Sequence, residues 1–214
     1  MALSRAHLLL TLLLLVETRT RSAWAAELVL FLSYACFFKR RYLLYTLVSL
    51  GAALAIPSVQ DRIYGVFSPS LYHVGGVANS YEWRLILWQD ALHSLTPLQF
   101  VFGRGLGSFF YYCADFFTLA GGNRWGAHSI FIQLIYEVGF IGLASFIFVL
   151  LRCMFIFLKA NSVEANKNNA SIGVFLILMY VFVGYSDNMF DYVAFNYYFY
   201  SLLGALIGKV SFSK

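Results

Sequence analysis

The chain has 214 residues, of which 61% are hydrophobic and only 12% are charged, with a formal net charge of +5. A soluble domain carries about 25% charged residues, so this chain has too little polar surface to cover a soluble globule. The composition excludes a soluble enzyme, a disordered chain and a disulfide-stapled secreted module, and it favours a protein that crosses a membrane several times.

Apolar runs along the chain predict an all-α polytopic membrane protein with about six transmembrane helices. The runs lie at residues 6–17, 23–38, 42–57, 129–151, 170–186 and 190–208. About 20 residues are needed to cross roughly 30 Å of hydrocarbon, a length that the fourth and sixth runs provide. The predicted organisation is one membrane domain with three N-terminal spans (1–57), a large loop (58–128) and three C-terminal spans (129–214).

The basic residues predict which side of the membrane each segment faces. Lys39, Arg40 and Arg41 lie between the second and third runs, a position that is typically cytoplasmic. Alternation then places the large loop outside the cytoplasm. The basic residues on that side are all arginines: Arg19, Arg21, Arg62, Arg84, Arg104 and Arg124. Because a guanidinium binds anions with a two-pronged fork, this bias predicts recognition of an anion, and ordinary surface arginines are the alternative.

The first 26 residues allow more than one interpretation. They predict a first span, yet the basic start, the apolar stretch at 8–16 and an Ala-Trp-Ala triplet at 23–25 also resemble a secretory signal peptide. Glu17, Arg19 and Arg21 precede the supposed cleavage position and argue against cleavage. A third interpretation is that the chain is the C-terminal part of a longer protein.

The large loop is too long to lack structure in a compact protein, and it predicts an amphipathic helix over residues 79–95 that ends before Pro97. One face of this helix carries Tyr81, Arg84, Leu85, Trp88, Leu92 and Leu95. A helix on a membrane surface usually keeps arginines on its polar face. Arg84 on the apolar face therefore predicts a partner, either an anionic ligand or a carboxylate.

A glycine-rich turn follows, with Gly103, Gly105 and Gly107 at alternate positions. Glycines permit positive φ and close backbone approach, and their N–H groups could cradle a phosphate. A tight turn between two loop helices is the alternative. Arg104 within the turn and Arg124 beyond it are candidates for contact with phosphate or glycan.

His128 stands immediately before the fourth span, where a neutral imidazole could take a proton from a hydroxyl. A helix-end histidine without a chemical role is the alternative. Glu137 lies about two turns inside the same span and belongs either to a site or to an ion pair with an arginine. Asp187, between the fifth and sixth spans, could bind sugar or cap a helix.

Metal and nucleic-acid signatures are missing from the sequence. Three cysteines and four histidines are scattered without the spacing of zinc ligands. The basic residues form no stripe interleaved with base-stacking aromatics. We therefore expect no metal, no cofactor and no nucleic-acid partner.

Three stretches, taken in order, resemble motifs of the O-antigen ligase and O-antigen polymerase family. The first is residues 18–24, similar to a Ser/Thr-Arg-x-Ala-Trp turn. The second joins Arg84, Trp88 and Pro97 to residues 103–109, similar to Arg-x3-Trp, Pro and Gly-x-Gly-x-Gly-Ser-Phe. The third is His128, with Ser129 in place of the usual Asn, followed by residues 137–142, similar to Glu-x-Gly-x-Ile-Gly.

This resemblance implies a metal-independent, GT-C-like glycosyltransferase that moves a glycan from an undecaprenyl-pyrophosphate carrier to an acceptor hydroxyl. The acceptor would be lipid A–core, a growing polysaccharide or a protein, at the outer face of the bacterial inner membrane. Family members have more helices than the six predicted here, so the chain would match their C-terminal half. Whether the chain is active by itself would depend on whether it is a complete protein.

Residue roles follow from the resemblance together with the chemistry. Arg21 and Arg84 would bind the pyrophosphate, because guanidinium forks can neutralise this leaving group without a metal. His128 would act as general base or orient the acceptor hydroxyl. Arg104 or Arg124 would assist, while Trp88 and the three alternate glycines would form part of the substrate site.

Two other functions stay open at this point. A transporter or flippase-like permease would show a continuous pore, although no internal repeat of the kind typical of transporters is present in the sequence. A non-catalytic membrane assembly protein would instead pair its outer arginines with carboxylates such as Asp61, Asp115, Asp187 or Asp191.

Overall fold

The structure, a computed structural model, describes residues 80–212 continuously and, before them, residues 28–29, 31–32, 35, 40–57, 59–61 and 64. Within this described part every regular secondary-structure element is a helix, and no strand is present. Contacts divide the chain into one unit of residues 1–52 and another of residues 53–214. The first predicted span, most of the second span and Arg21 lie outside the described residues.

Helix α1 (Arg41–Leu54) occupies most of the third predicted span. It is apolar, but its 14 residues extend only about 21 Å, which is less than the thickness of the hydrocarbon core. A membrane crossing at this position stays a prediction.

Three helices form the described part of the large loop: α2 (Ser80–His93), α3 (Pro97–Phe102) and α4 (Ser108–Phe116). Thr96 starts α3 with a capping box, because its hydroxyl accepts the Gln99 N–H while the Gln99 side chain accepts the Thr96 N–H. The loop has its own apolar core, formed by Leu87, Trp88, Ala91, Phe109, Cys113, Phe117, Ala120, Ala127 and Tyr136.

The buried face of α2 differs from the predicted face. Leu87 is fully buried and Trp88 nearly so, whereas Tyr81 and Leu85 are 47% and 43% exposed. Apolar residues follow one another at 85–88, so periodicity alone does not single out one face. Packing against the loop core decides it. Arg84 is half-buried at the edge of that face.

The C-terminal part contains α5 (Ile130–Ala160), α6 (Lys167–Ser186) and α7 (Val193–Phe212), with short 3-10 turns at Glu164–Asn166 and Met189–Asp191. Helix α5 and the segment 164–186 are long and apolar enough to cross a membrane. Helix α7 coincides with the sixth predicted span, but its crossing stays a prediction, as does the total of six spans.

Helix α5 is interrupted at Gly139, whose φ of 72° and ψ of −178° are non-helical. The interruption frees two carbonyls: that of Tyr136 accepts the Arg104 N–H at 2.9 Å, and that of Glu137 accepts the Gly105 N–H at 2.9 Å. Gly103 also has a positive φ, of 83°. A Cβ on Gly103 would overlap the Glu137 carbonyl, and one on Gly139 would overlap the Val101 carbonyl. The two glycines thus let the end of α3 cross α5 in backbone contact.

Candidate functional site

Arg84 connects the loop helices to the end of α6. Its Nη1 donates to the Ser186 carbonyl at 2.8 Å, where α6 leaves backbone acceptors unpaired. Among the residues that the structure describes, the one ion pair joins Lys167 and Glu164, so no described carboxylate forms a salt bridge with Arg84. A half-buried guanidinium without such a bridge retains donors for an anionic ligand.

His128 lies near enough to Arg84 for the guanidinium charge to act on its imidazole, and its backbone conformation is unusual. Its φ of 49° is the only positive value at a non-glycine residue in the described part of the chain. Trp83, the neighbour of Arg84, places its ring edge-on to the imidazole with the centroids 5.9 Å apart. Strained backbone of this kind costs about 1–3 kcal/mol and is concentrated at functional sites. The conformation therefore supports a functional hypothesis for His128.

Trp88 fixes the backbone that carries His128. Its indole Nε1 donates to the Ala127 carbonyl at 2.7 Å, and both residues are buried. The ring also contacts Tyr185 edge-on, with the centroids 5.6 Å apart. The single N–H of Trp88 is therefore occupied, which favours a positioning role over direct contact with substrate.

Removal of that indole N–H gives a first prediction. Trp88→Phe leaves the Ala127 carbonyl buried without its donor, so we expect a loss of about 1–3 kcal/mol in stability. We also expect a fall in any activity that depends on His128. Thermal unfolding and activity should be measured beside Trp125→Phe, which alters a 39% exposed ring of the same loop. Equal effects of the two substitutions would contradict the positioning role.

The electrostatic environment keeps His128 neutral. Burial lowers the pKa of the imidazole below its ordinary value, and the positive charge of Arg84 lowers the pKa further. The carboxylates of Asp187 and Asp191 act in the opposite direction and raise that pKa. The net shift is downward, so the imidazole is uncharged and can accept a proton at neutral pH.

The turn between α6 and α7 brings acidic and amide groups to the same end of the molecule. Asp187 accepts the Asn188 N–H through Oδ1 at 2.8 Å and the Tyr192 hydroxyl through Oδ2 at 3.0 Å. The side-chain oxygen of Asn188 is buried and has no hydrogen-bond partner in the described part of the chain. A buried acceptor of this kind is costly, and it adjoins the Asp187 carboxylate in the chain.

The glycine turn is occupied by contacts within the protein. The N–H of Gly103 donates to Gln99, and that of Gly105 donates to Glu137. These two amides are therefore not presented to a phosphate, in contrast to the cradle considered from sequence. All three alternate glycines have positive φ, and Gly107 precedes α4 in a left-handed conformation. The arrangement is a tight turn between loop helices.

The two remaining outer arginines of the described loop lie against tyrosines. Arg104 donates from Nη1 to the Tyr136 hydroxyl at 2.9 Å and lies 3.8 Å from the centroid of the Tyr112 ring. Arg124 is exposed and lies 5.1 Å from the Tyr111 ring centroid. Contacts of this kind orient a guanidinium without neutralising its charge.

Glu137 forms no ion pair with an arginine among the described residues, in contrast to one of the two roles considered from sequence. It is only 7% exposed, and its Oε1 accepts a long hydrogen bond of 3.4 Å from Gln133. One helical turn separates these two residues, so the contact is local to α5.

The structure brings Arg84, His128 and Asp187 to one end of the bundle, while Arg21 lies outside the described residues. Sequence reasoning missed Trp83 and the Ser186 carbonyl, and it named Asp191 only as a possible partner of an arginine. Trp83 directly precedes Arg84, but nothing in its spacing indicates a contact with a histidine 45 positions away. Such contacts follow from the packing of α2 against the start of α5.

Comparison with known proteins points in one direction. A family model described as O-antigen ligase matches residues 6–147, about two thirds of the chain. The match includes Arg84, the glycine turn, His128 and Glu137, and it ends inside α5. No curated protein and no solved structure matches the chain.

Proposed function

The chain belongs to the O-antigen ligase family, and from this premise we propose that it is a glycosyltransferase of the bacterial inner membrane. It moves a glycan from an undecaprenyl-pyrophosphate carrier to an acceptor hydroxyl at the outer face of that membrane. The acceptor is lipid A–core, a growing polysaccharide or a protein. The large loop faces outward in a GT-C-like arrangement, and the chemistry needs no metal.

The observation that carries this proposal is the juxtaposition of Arg84 and His128. A cation without a bridging carboxylate among the described residues acts on a neutral base at the end of a helix long enough to cross a membrane. A lipid-linked pyrophosphate donor needs both groups at that level. The cation stabilises the charge that develops on the leaving group, and the base receives a proton from the attacking hydroxyl.

The proposed step is a single displacement. The acceptor oxygen forms a bond to the anomeric carbon of the glycan as the bond from that carbon to the pyrophosphate oxygen breaks. The hydroxyl proton passes to His128, and Arg84 binds the departing undecaprenyl pyrophosphate. By analogy with the family, the reaction inverts the anomeric centre.

Other residues complete the site in this proposal. Arg21 provides a second guanidinium for the pyrophosphate, and Arg104 or Arg124 contacts phosphate or glycan. Asp187 acts on His128 electrostatically, because its carboxylate raises the pKa of the imidazole. Among the loop residues, Trp88 and the alternate glycines shape the backbone and do not contact the donor directly.

The pH dependence of transfer gives a second prediction. The base acts only when neutral, so activity is lost as the pH falls through the pKa of His128, below about 6.5. Asp187→Asn removes a charge that raises this pKa, so we expect the acidic limb of the rate profile to move to lower pH. Asp115→Asn, an exposed change on α4, serves as the control. A limb that moves to higher pH in Asp187→Asn would contradict the assignment.

Analysis of lipid-linked intermediates tests the proposed function in cells. Cells that lack the protein should accumulate undecaprenyl-pyrophosphate-linked glycan in the outer leaflet, because the donor is made and not consumed. The wild-type gene should restore the normal pool. An unchanged pool would contradict the proposal, and accumulation confined to the inner leaflet would favour a flippase.

A further inference from the structure

We propose that residues 97–111, which comprise α3, the glycine turn and the start of α4, form a hairpin immersed in the lipid leaflet next to His128. We call this segment the lipid hairpin. The interacting partner is the acyl-chain region of the bilayer. The inference concerns the membrane contact of the loop, and it stands whether or not the proposed reaction is correct.

The first observation is an apolar surface that no other described part of the chain covers. Leu98, Phe102, Leu106 and Phe110 are 70%, 63%, 85% and 54% exposed. Soluble surfaces rarely present so many neighbouring large apolar side chains. The hairpin is anchored at the start of α4, where Phe109 packs in the loop core, while α3 has no buried residue. The exposed side therefore needs an apolar environment.

The second observation is the depth at which the hairpin meets α5. The contact lies at Gly139, and α5 extends about 46 Å, longer than the roughly 30 Å of hydrocarbon. If Lys159 marks the far boundary of the hydrocarbon, the about 20 residues of one crossing end at Gly139, which then lies at the near boundary. If Arg152 marks it, Gly139 lies roughly 10 Å inside the near boundary. Both limits place the hairpin in contact with hydrocarbon.

The third observation is continuity with the surface of α5. Phe140 and Ile141 follow Gly139 directly and are 56% and 50% exposed. They open an apolar groove of about 450 Å³ that continues along α5 to Phe148 and Val149. The hairpin thus extends an apolar surface that belongs to a helix long enough to cross the membrane.

The backbone of the hairpin where it crosses α5 is also compatible with lipid. Non-helical backbone is tolerated at membrane depth only where its polar groups are satisfied by protein. The N–H groups of Gly103, Arg104 and Gly105 all donate to carbonyls, and Thr96 caps the start of α3. The Arg104 guanidinium is held by the Tyr136 hydroxyl and the Tyr112 ring.

Photo-crosslinking of the wild-type chain tests the inference. The chain is placed in vesicles of phosphatidylethanolamine and phosphatidylglycerol that contain a phospholipid with a diazirine on its acyl chain. Adducts are then mapped by peptide mass spectrometry. We expect about tenfold more adducts per residue in 97–111 than in the polar segment 121–126, because burial of a leucine-sized side chain favours lipid by at least that factor. Residues 147–155 of α5 are the positive control.

Three results would overturn the inference. One is labelling of 147–155 without labelling of 97–111. Another is cross-linking of 97–111 to residues 1–52 or to a second copy in place of lipid. The third is the lack of adducts on α5 itself, which would remove the membrane crossing from which the depth was measured. Leu106→Asp should lower the labelling of 97–111 and leave that of 147–155 unchanged.

Discussion

We expect His128→Asn to reduce glycan transfer by about 10²- to 10⁴-fold, the contribution typical of a general base. Asparagine tolerates the left-handed backbone conformation that His128 adopts, so the substitution removes the proton acceptor without adding the strain that alanine would introduce. Arg84→Ala should abolish transfer as well, because the leaving pyrophosphate loses its cation. Both variants should still insert into the membrane.

The control for this experiment is His93→Ala, an exposed histidine at the end of α2. We expect it to retain wild-type rates. Rates should be measured with purified protein at matched amounts in vesicles. Transfer at the wild-type rate by His128→Asn would show that His128 is a helix-end residue without a chemical role.

The second large effect is expected on stability, at the crossing of α3 and α5. Gly103→Ala and Gly139→Ala should each cost about 2–6 kcal/mol, the sum of a backbone conformation that is essentially restricted to glycine and an overlap of the new methyl with backbone atoms. Thermal unfolding in detergent should show a large fall in the midpoint or a failure to recover folded protein.

Substitutions at two other glycines distinguish the cost of backbone strain from the cost of steric overlap. Gly105→Ala meets open space but has a positive φ, so we expect a smaller loss from strain alone. Gly204→Ala, in α7, meets open space with ordinary helical backbone and should be neutral or slightly stabilising. If all four variants unfolded at the same temperature, the backbone contact at Gly103 and Gly139 would be disproved.

The C-terminal helices were predictable because long apolar runs specify a helix without tertiary information. The start of α5 lies within a residue of the predicted position, and its end lies nine residues beyond the prediction. The apolar run ends before Arg152, yet the helix continues, because charged residues near a membrane boundary do not interrupt a helix. Gly103, Gly105 and Gly107 all adopt the positive φ that glycine permits.

The tertiary contacts at the site could not be predicted from the sequence. The sequence indicated that Arg84 needs a partner and that His128 opens a span, but it did not predict which groups they meet. Contacts with Ser186 and Trp83 depend on how α2 lies against α5 and α6. The same holds for the amides of Arg104 and Gly105, because their acceptors in α5 are freed only by the interruption of that helix at Gly139.

Reconstitution tests the central claim most directly. The purified chain is placed in vesicles with a synthetic undecaprenyl-pyrophosphate glycan and a hydroxyl acceptor, and both products are quantified. We predict glycosylated acceptor and free undecaprenyl pyrophosphate in equal amounts, and neither product when Arg84→Ala and His128→Asn are combined. Donor that stays intact with the wild-type chain, or transfer that persists in the double variant, would contradict the assignment of these two residues to a glycan-transfer site.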